Sequence, residues 1–439
     1  MIVLCLCAAT APGKSFNAGY TQDGLDGADS SVLLHLADDI PPGRAQAFFN
    51  EQNLAVVGYL SQIDVWRVVF SGSLRLQASE LSARLAQMSE VRWAEINGLV
   101  HISEIVPDDP FYNAQQQNLR LIGLPQAWEI TTGSEMPIAV VDTGLDMNHP
   151  DIEAKIWTNP GEVASNGLDD DNNGYVDDVH GWDFVNADAD PQDDHSHGSH
   201  VAGIAAAISN NTIGIAGVTW GAQVMPLKAL NQIGEGSWVD AAAAILYAAD
   251  QGARVINLSF SAVNSSSTIE AAVQYAQVKG SLVIAAAGNG GGAVGYPAAL
   301  PGVLAVAASD NNDLPWSLSN RGPEVDVSAP GLNIFSLNAL GSYTHYDGTS
   351  MAAPHTSGLA ALIWSMQPDL SAMEVAQVIT TTAQDIWSPG KDDLTGWGRI
   401  DGYAALASLV THVYLPLIEI PLPLVVYHQY LPMLVGNQP

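Results

Sequence analysis

Hydrophobic and polar positions change rhythm along this chain. Between residues 31 and 103 short stretches alternate in character. Ser31–Leu36 and Asp64–Phe70 alternate with period two, as half-buried strands do, and Pro42–Gln52 has a helical pattern. Ala78–Met88 places Leu81, Leu85 and Met88 on one helical face, and Val91–Val100 is extended. This predicts a small α+β unit ending near Ser103. From Asn118 to about Leu409 the runs are apolar at successive positions: Pro137–Asp142, Gln223–Leu227, Val255–Ser259, Leu282–Ala287 and Val303–Ala308. Such runs suit parallel strands buried on both faces. Helical patterns such as Trp238–Gln251 and Thr268–Lys279 lie between them, so the expectation is α/β, a parallel sheet between two layers of helices. Pro107–Pro110 reads as a linker. The expected segments are 1–28, a leader remnant and linker; 29–106, the α+β unit; 107–410, the α/β unit; and 411–439, a Pro-rich apolar tail.

Charge changes the picture. Against 46 Asp plus Glu stand 14 Lys plus Arg, a net charge of −32. So negative a surface repels phosphate backbones, which argues against a nucleic-acid partner, and it concentrates cations such as calcium. Cys5 and Cys7 are the only cysteines of the chain, so its body has neither disulfides nor a thiol nucleophile. The stretch Met1–Pro12 resembles the back half of a signal peptide, and secretion is expected. The apolar tail is broken by Pro416, Pro421, Pro423 and Pro432 and makes a poor membrane span. Within it His412–Leu417 and His428–Met433 form a weak repeat, read as an extended or surface-anchoring segment.

In an open parallel sheet, ligands bind where strands end and helices begin. Three such junctions carry residues suited to acyl transfer. Asp142 ends an apolar strand before Thr143 and Gly144; His197 precedes an Ala-rich helix; Ser350 lies at a helix start in Gly348-Thr349-Ser350-Met351-Ala352-Ala353-Pro354. A serine hydroxyl needs a neutral imidazole to take its proton and a carboxylate to orient that imidazole. Val140-Val141-Asp142-Thr143-Gly144, His197-Gly198-Ser199-His200-Val201-Ala202-Gly203 and the segment Gly348–Pro354 together resemble the motifs of the subtilase (subtilisin-like) family, over roughly Asp108–Leu409. The order aspartate, histidine, serine is that of subtilisin.

The resemblance implies a serine endopeptidase with Asp142, His197 and Ser350 as its triad, needing no cofactor for catalysis. It further implies Asn289 as an oxyanion donor, and His195 and His200 as structural neighbours. Ser199 stands where threonine is usual, and Asp347 where asparagine is common. Substrate-binding positions are Ser259, Phe260 and Ser261 on one side of a pocket, with Ala286, Gly288 and Gly295 on the other. Bulk at Ser261 narrows that pocket. No charged residue occupies these positions, so broad or apolar and aromatic preference is expected.

The segment Asp169–Asp178 is the strongest metal signal. Asp169, Asp171, Asn173 and the Tyr175 carbonyl have the spacing of a calcium loop, with Asp177 or Asp178 supplying the missing carboxylate. By resemblance, Asp151 and Asn211 belong to a second structural Ca2+ site. Residues Ser31–Ser103 resemble the family's prosegment, an intramolecular inhibitor removed within His101–Asp109. The expected protein is a secreted, self-processing, monomeric protease acting on protein and peptide substrates. The alternative is an inactive binding protein of the same fold; a lipase is disfavoured because its Gly-x-Ser-x-Gly motif and Ser-acid-His order are missing.

Overall fold

The computed structural model describes residues 31–37, 40, 42–60, 62–70, 78–97 and 105–410, and the chain divides into two units, Met1–Ile102 and Ser103–Pro439. The leader and the apolar tail, 411–439, lie outside the described residues.

The first unit contains β1 (Val32–Leu36), α1 (Pro42–Glu51), β2 (Leu54–Leu60), β3 (Val65–Phe70), α2 (Ala78–Leu85) and β4 (Val91–Ile96). Its strands form an antiparallel sheet in the order β2-β3-β1-β4. Alternation along β1 buries Val32, Leu34 and Leu36 against Phe48, Phe49, Leu81 and Leu85 of the two helices. Strand β2 has no counterpart in the sequence pattern. Its Val56, Val57, Tyr59 and Leu60 are exposed, and its register slips between Val56 and Gly58, so no clean two-residue alternation marks it.

The second unit begins with the short helices α3 (Tyr112–Gln115), α4 (Gln117–Leu121) and α5 (Leu124–Ile130). Then follow β5 (Pro137–Asp142), β6 (Trp182–Asp183), α6 (His197–Ala206), β7 (Gln223–Lys228), α7 (Trp238–Asp250), β8 (Val255–Leu258), α8 (Ser267–Val278), β9 (Leu282–Ala286) and β10 (Leu304–Ser309). The unit closes with β11 (Val327–Pro330), the hairpin of β12 (Ile334–Asn338) and β13 (Ser342–Tyr346), α9 (Thr349–Met366), α10 (Ala372–Thr381) and α11 (Gly402–Leu409).

The seven-stranded sheet has the order β11-β10-β9-β8-β5-β7-β6 and all its pairings are parallel. Successive residues of β5 serve opposite cores. Ile138 and Val140 join the layer of α6 and α9, while Ala139 and Val141 join that of α7 and α8. That double burial is why the strands read as continuous apolar runs. The chain leaves β5 for β6 and then β7 on one flank and crosses to β8 on the other. The carboxyl end of β5 is therefore a topological switch point, where such sheets open a crevice.

Pro107–Pro110 is no free linker. Asp109 is buried and its carboxylate accepts the N–H groups of Asn210 and Asn211, while Asp108 accepts that of Thr212 and Phe111 donates to the Gly214 carbonyl. The segment belongs to the α/β unit, whose division from the first falls after Ile102. Its polar, Pro-flanked composition reflects carboxylates turned toward backbone donors rather than solvent.

Candidate active site

Asp142, Ser259 and Asn289 lie at or just beyond the ends of the adjacent strands β5, β8 and β9, and His197 and Ser350 sit in the first turns of α6 and α9. The His197 Nδ1 lies 2.7 Å from Asp142 Oδ1. A carboxylate only accepts, so Nδ1 carries the proton and Nε2 is left as the basic atom. Burial pushes the His197 pKa down, but the Asp142 charge and hydrogen bond, and more distantly Asp193, outweigh it and raise the pKa above its ordinary value.

The Asp142 turn is held from several sides. Its Oδ1 also accepts the Thr143 N–H at 2.8 Å, and Thr143 Oγ1 donates to Asp193 while accepting the Gly198 N–H. Asp193 in turn accepts from the backbone of His195, Ser196 and Ser199 and from Ser199 Oγ, so one buried carboxylate ties the start of α6 to the Asp142 turn. The hydroxyl retained at Ser199 makes this bond and also accepts from the Asp146 N–H. Opposite Asp142 in the β5–β7 register, the buried Lys228 donates to the Thr143 carbonyl and to Asp194. A β-carbon on Gly198 would lie 2.2 Å from the Gly144 carbonyl oxygen, so only glycine permits this approach. The sequence shows Thr143-Gly144 as a tight exit but does not single out Asp193 and Lys228 as its anchors; polar residues at a helix start and a cation ending an apolar strand are the signals available.

His195 is exposed, with its ring 6.3 Å from that of His197. His200 is buried, its Nε2 donating to the carbonyls of Ile334 and Thr344, and burial pushes its pKa down to about 3. It is a neutral structural group.

Ser350 is the second residue of α9, so its N–H has no acceptor within the helix. Its hydroxyl donates to the Ser259 carbonyl at 2.8 Å rather than to the imidazole, and Ser259 Oγ donates back to the Ser350 carbonyl. Asn289 Oδ1 accepts from both the N–H and the hydroxyl of Thr349, which leaves its amide nitrogen as the end free to donate. Gly348, at φ +154°, precedes Thr349, and a β-carbon there would meet Asn289 Nδ2 at 3.2 Å.

The expected pocket residues separate by depth. Ser259 is buried behind Ser350, Phe260 is half-buried and packs against the core of α7 and α8, and Ala286 is buried in the sheet. Ser261 is exposed, beside Gly288 and Gly295. Asn320, which no sequence motif marks, pins that wall. It donates to the Ala287 carbonyl and accepts from Gly290 and Gly292.

Within the acidic insertion the expected ligand residues take different partners. Asp169 accepts the N–H groups of Asn173 and Gly174, and Asp177 those of Asn166 and Gly167, so both turn the loop. The carboxylates that converge are Glu162, Asp171 and Asp178, with oxygens within 4.8 Å of one another, and the buried Glu162 Oε2 has no partner among the described residues. Asn173 donates to Asp171 and Asp178 and so stays at the cluster, and the Tyr175 ring, as distinct from its carbonyl, packs on Trp182, Phe184 and Tyr247. Elsewhere Asn211 bridges two buried carboxylates, donating from its backbone to Asp109 and from its side chain to Asp151. Burial raises the Asp151 pKa to about 7, and the Asp109 charge adds to the rise. Asp109, within the expected linker, thus joins the expected Asp151 and Asn211 pair.

Comparison with known proteins accords with this arrangement. The subtilase family (peptidase S8) profile matches residues 133–398. Thermitase of Thermoactinomyces vulgaris is 42% identical over 68% of this chain and 99% of its own. A thermophilic serine proteinase of Bacillus sp. (strain AK1) is 41% identical over 72% of this chain and 73% of its own. The halolysin-like extracellular serine protease Nep of Natrialba magadii is 38% identical over 91% of this chain and 70% of its own. Among solved structures, one described as proteases from Pseudoalteromonas arctica superposes with a TM-score of 0.60 at 29% identity, covering 70% of this chain and all of that one.

Proposed function

The chain belongs to the subtilase family and is a serine endopeptidase, and we propose that Ser350 is its nucleophile, His197 its general base and Asp142 the carboxylate that orients the imidazole. The observation that carries this reading is the 2.7 Å pairing of His197 Nδ1 with buried Asp142, which leaves Nε2 as the basic atom. On substrate binding the Ser350 hydroxyl turns from the Ser259 carbonyl to Nε2. Its oxygen attacks the scissile carbonyl as His197 takes the proton; His197 then hands that proton to the leaving amine, giving an acyl-enzyme. Water, deprotonated by the same imidazole, releases the acid and regenerates Ser350. The negative oxygen of each tetrahedral intermediate meets the Asn289 amide and the Ser350 N–H. The inactive binding protein of the same fold is not favoured by any feature of this geometry.

Purified mature enzyme and a Ser350→Ala variant, compared on casein and on a quenched peptide, test the reading. The variant keeps its circular dichroism and loses at least about 10³-fold in rate. Residual activity within tenfold of wild type overturns the assignment.

The enzyme is proposed to be secreted, in keeping with its similarity to an extracellular protease, and to act as a monomer. Residues 29–106 are proposed as an inhibitory prosegment, released by a cut before Pro107, since the chain from Pro107 onward is tied to the loop at residues 209–214. Surface association through the tail belongs to the same proposal. Structural Ca2+ is proposed at two places whose donor sets suit a hard cation. One is Glu162, Asp171 and Asp178 with Asn173, where an orphaned carboxylate oxygen faces two other acids. The other is Asp109, Asp151 and Asn211, where buried like charges face one another. The ion supplies charge neutralisation to the fold and takes no part in peptide cleavage.

A further inference from the structure

We propose that Ser261 sets the size limit for the substrate side chain preceding the cut bond and restricts this enzyme to small residues there, an inference that rests on Ser350 being the nucleophile. Two segments flank that serine. On one side Ser259 exchanges hydrogen bonds with Ser350, so Ser259–Ala262 runs directly beside it. On the other, Gly288 N–H donates to Thr349 Oγ1 and Asn289 holds the Thr349 N–H. A carbonyl carbon within reach of Ser350 Oγ, with its oxygen toward Asn289, directs its side chain into the gap between these segments. Ala262 and Tyr296 close the far end by exchanging two backbone bonds of 2.8 Å, and Gly295 N–H donates to the Ala287 carbonyl.

The gap has glycine on its wall, and Ser261 stands in it. A β-carbon on Gly288 would lie 2.9 Å from Ser261 Oγ, and one on Gly295 would lie 3.0 Å from Ser261 Cβ. The Ser261 side chain thus takes the room at Gly295 and shares that at Gly288 with Asn320 Nδ2, which would lie 2.4 Å from a β-carbon there; Ser261 itself is exposed and so open to an incoming peptide. Nor can the wall retreat. Gly288, at φ +104°, is backed by Asn320, which is itself bonded to Ala287, Gly288, Gly290 and Gly292. A close-packed wall of backbone cannot make way for an added ring. On this proposal the aromatic part of the preference expected from the sequence falls away, and glycine, alanine and serine side chains are the fit.

The test uses mature enzyme and p-nitroanilides of one tripeptide extended by alanine, leucine or phenylalanine. Wild type prefers alanine over phenylalanine by at least about tenfold in kcat/KM, the scale on which a pocket discriminates by size. Ser261→Gly raises the phenylalanine-to-alanine ratio by a similar factor, and Ser261→Val lowers it. A wild type that cuts the phenylalanine peptide as well as the alanine one, or a ratio unmoved in Ser261→Gly, overturns the inference while leaving the nucleophile in place. Folded wild type that cuts none of the three overturns the nucleophile assignment as well.

Discussion

The His197 imidazole is pulled in opposite directions, by burial that disfavours its charge and by the Asp142 and Asp193 carboxylates that favour it, and the carboxylates win. A raised pKa keeps the base protonated to higher pH, so kcat/KM rises with pH through a midpoint above the ordinary histidine value of about 6.5. A pH–rate profile on an uncharged peptide measures it; a midpoint at or below that value contradicts the balance described. Asp142→Asn removes the larger pull, moves the midpoint down and cuts the rate by about 10⁴, the cost of this change in another triad enzyme. Asn289→Ala lowers kcat by about 10²–10³, the magnitude measured for the corresponding donor in subtilisin, a member of the same family. The three proposed triad positions stand out in the sequence because each sits in a local motif. Asp193, Asn320 and Asp109 were not, because what they do is set by partners that no local motif contains; the Asp109–Asn210 bond alone spans 101 positions.

Elements carry the next level. Five of the parallel strands announced themselves as double-sided apolar runs, whereas β6, with two residues, β11, with four, and the β12–β13 hairpin offered too short or too mixed a pattern. The acidic insertion was recognisable, but its wiring was not, because aspartates that ligate and aspartates that cap a turn share one composition. The proposed cation relieves mutual repulsion among Glu162, Asp171 and Asp178 and is not gathered by the unfolded chain, so its binding is expected to add roughly 2.7 kcal/mol at a hundredfold excess over Kd. Thermal melts of the Ser350→Ala variant, which cannot digest itself, then show a Tm lower by about 5 °C or more in EDTA than in calcium. An unchanged Tm removes both proposed sites. At the junction of β5 and α6, Gly198→Ala drives a β-carbon into the Gly144 carbonyl and destabilises by about 1–3 kcal/mol, read as a fall in the urea midpoint.

At the scale of the whole molecule, two units of unequal size follow one another, and the family match falls within the larger one. If the larger processes the smaller, Ser350→Ala made in a protease-free host stays at precursor length, while wild type loses its first unit; N-terminal sequencing of both reads the outcome, and identical mature ends assign the cut to another enzyme. The isolated first unit, added in trans, slows the mature enzyme. None of the described helices is long and apolar enough to cross a membrane. The expectations about cleavage and processing depend on one chemical claim, that Ser350 is a nucleophile activated by His197. Reaction with a fluorophosphonate, followed by peptide mass mapping, tests it most directly. The account predicts a single phosphonyl adduct on Ser350 that disappears in His197→Ala; an active enzyme labelled on a different residue, or not labelled at all, contradicts it.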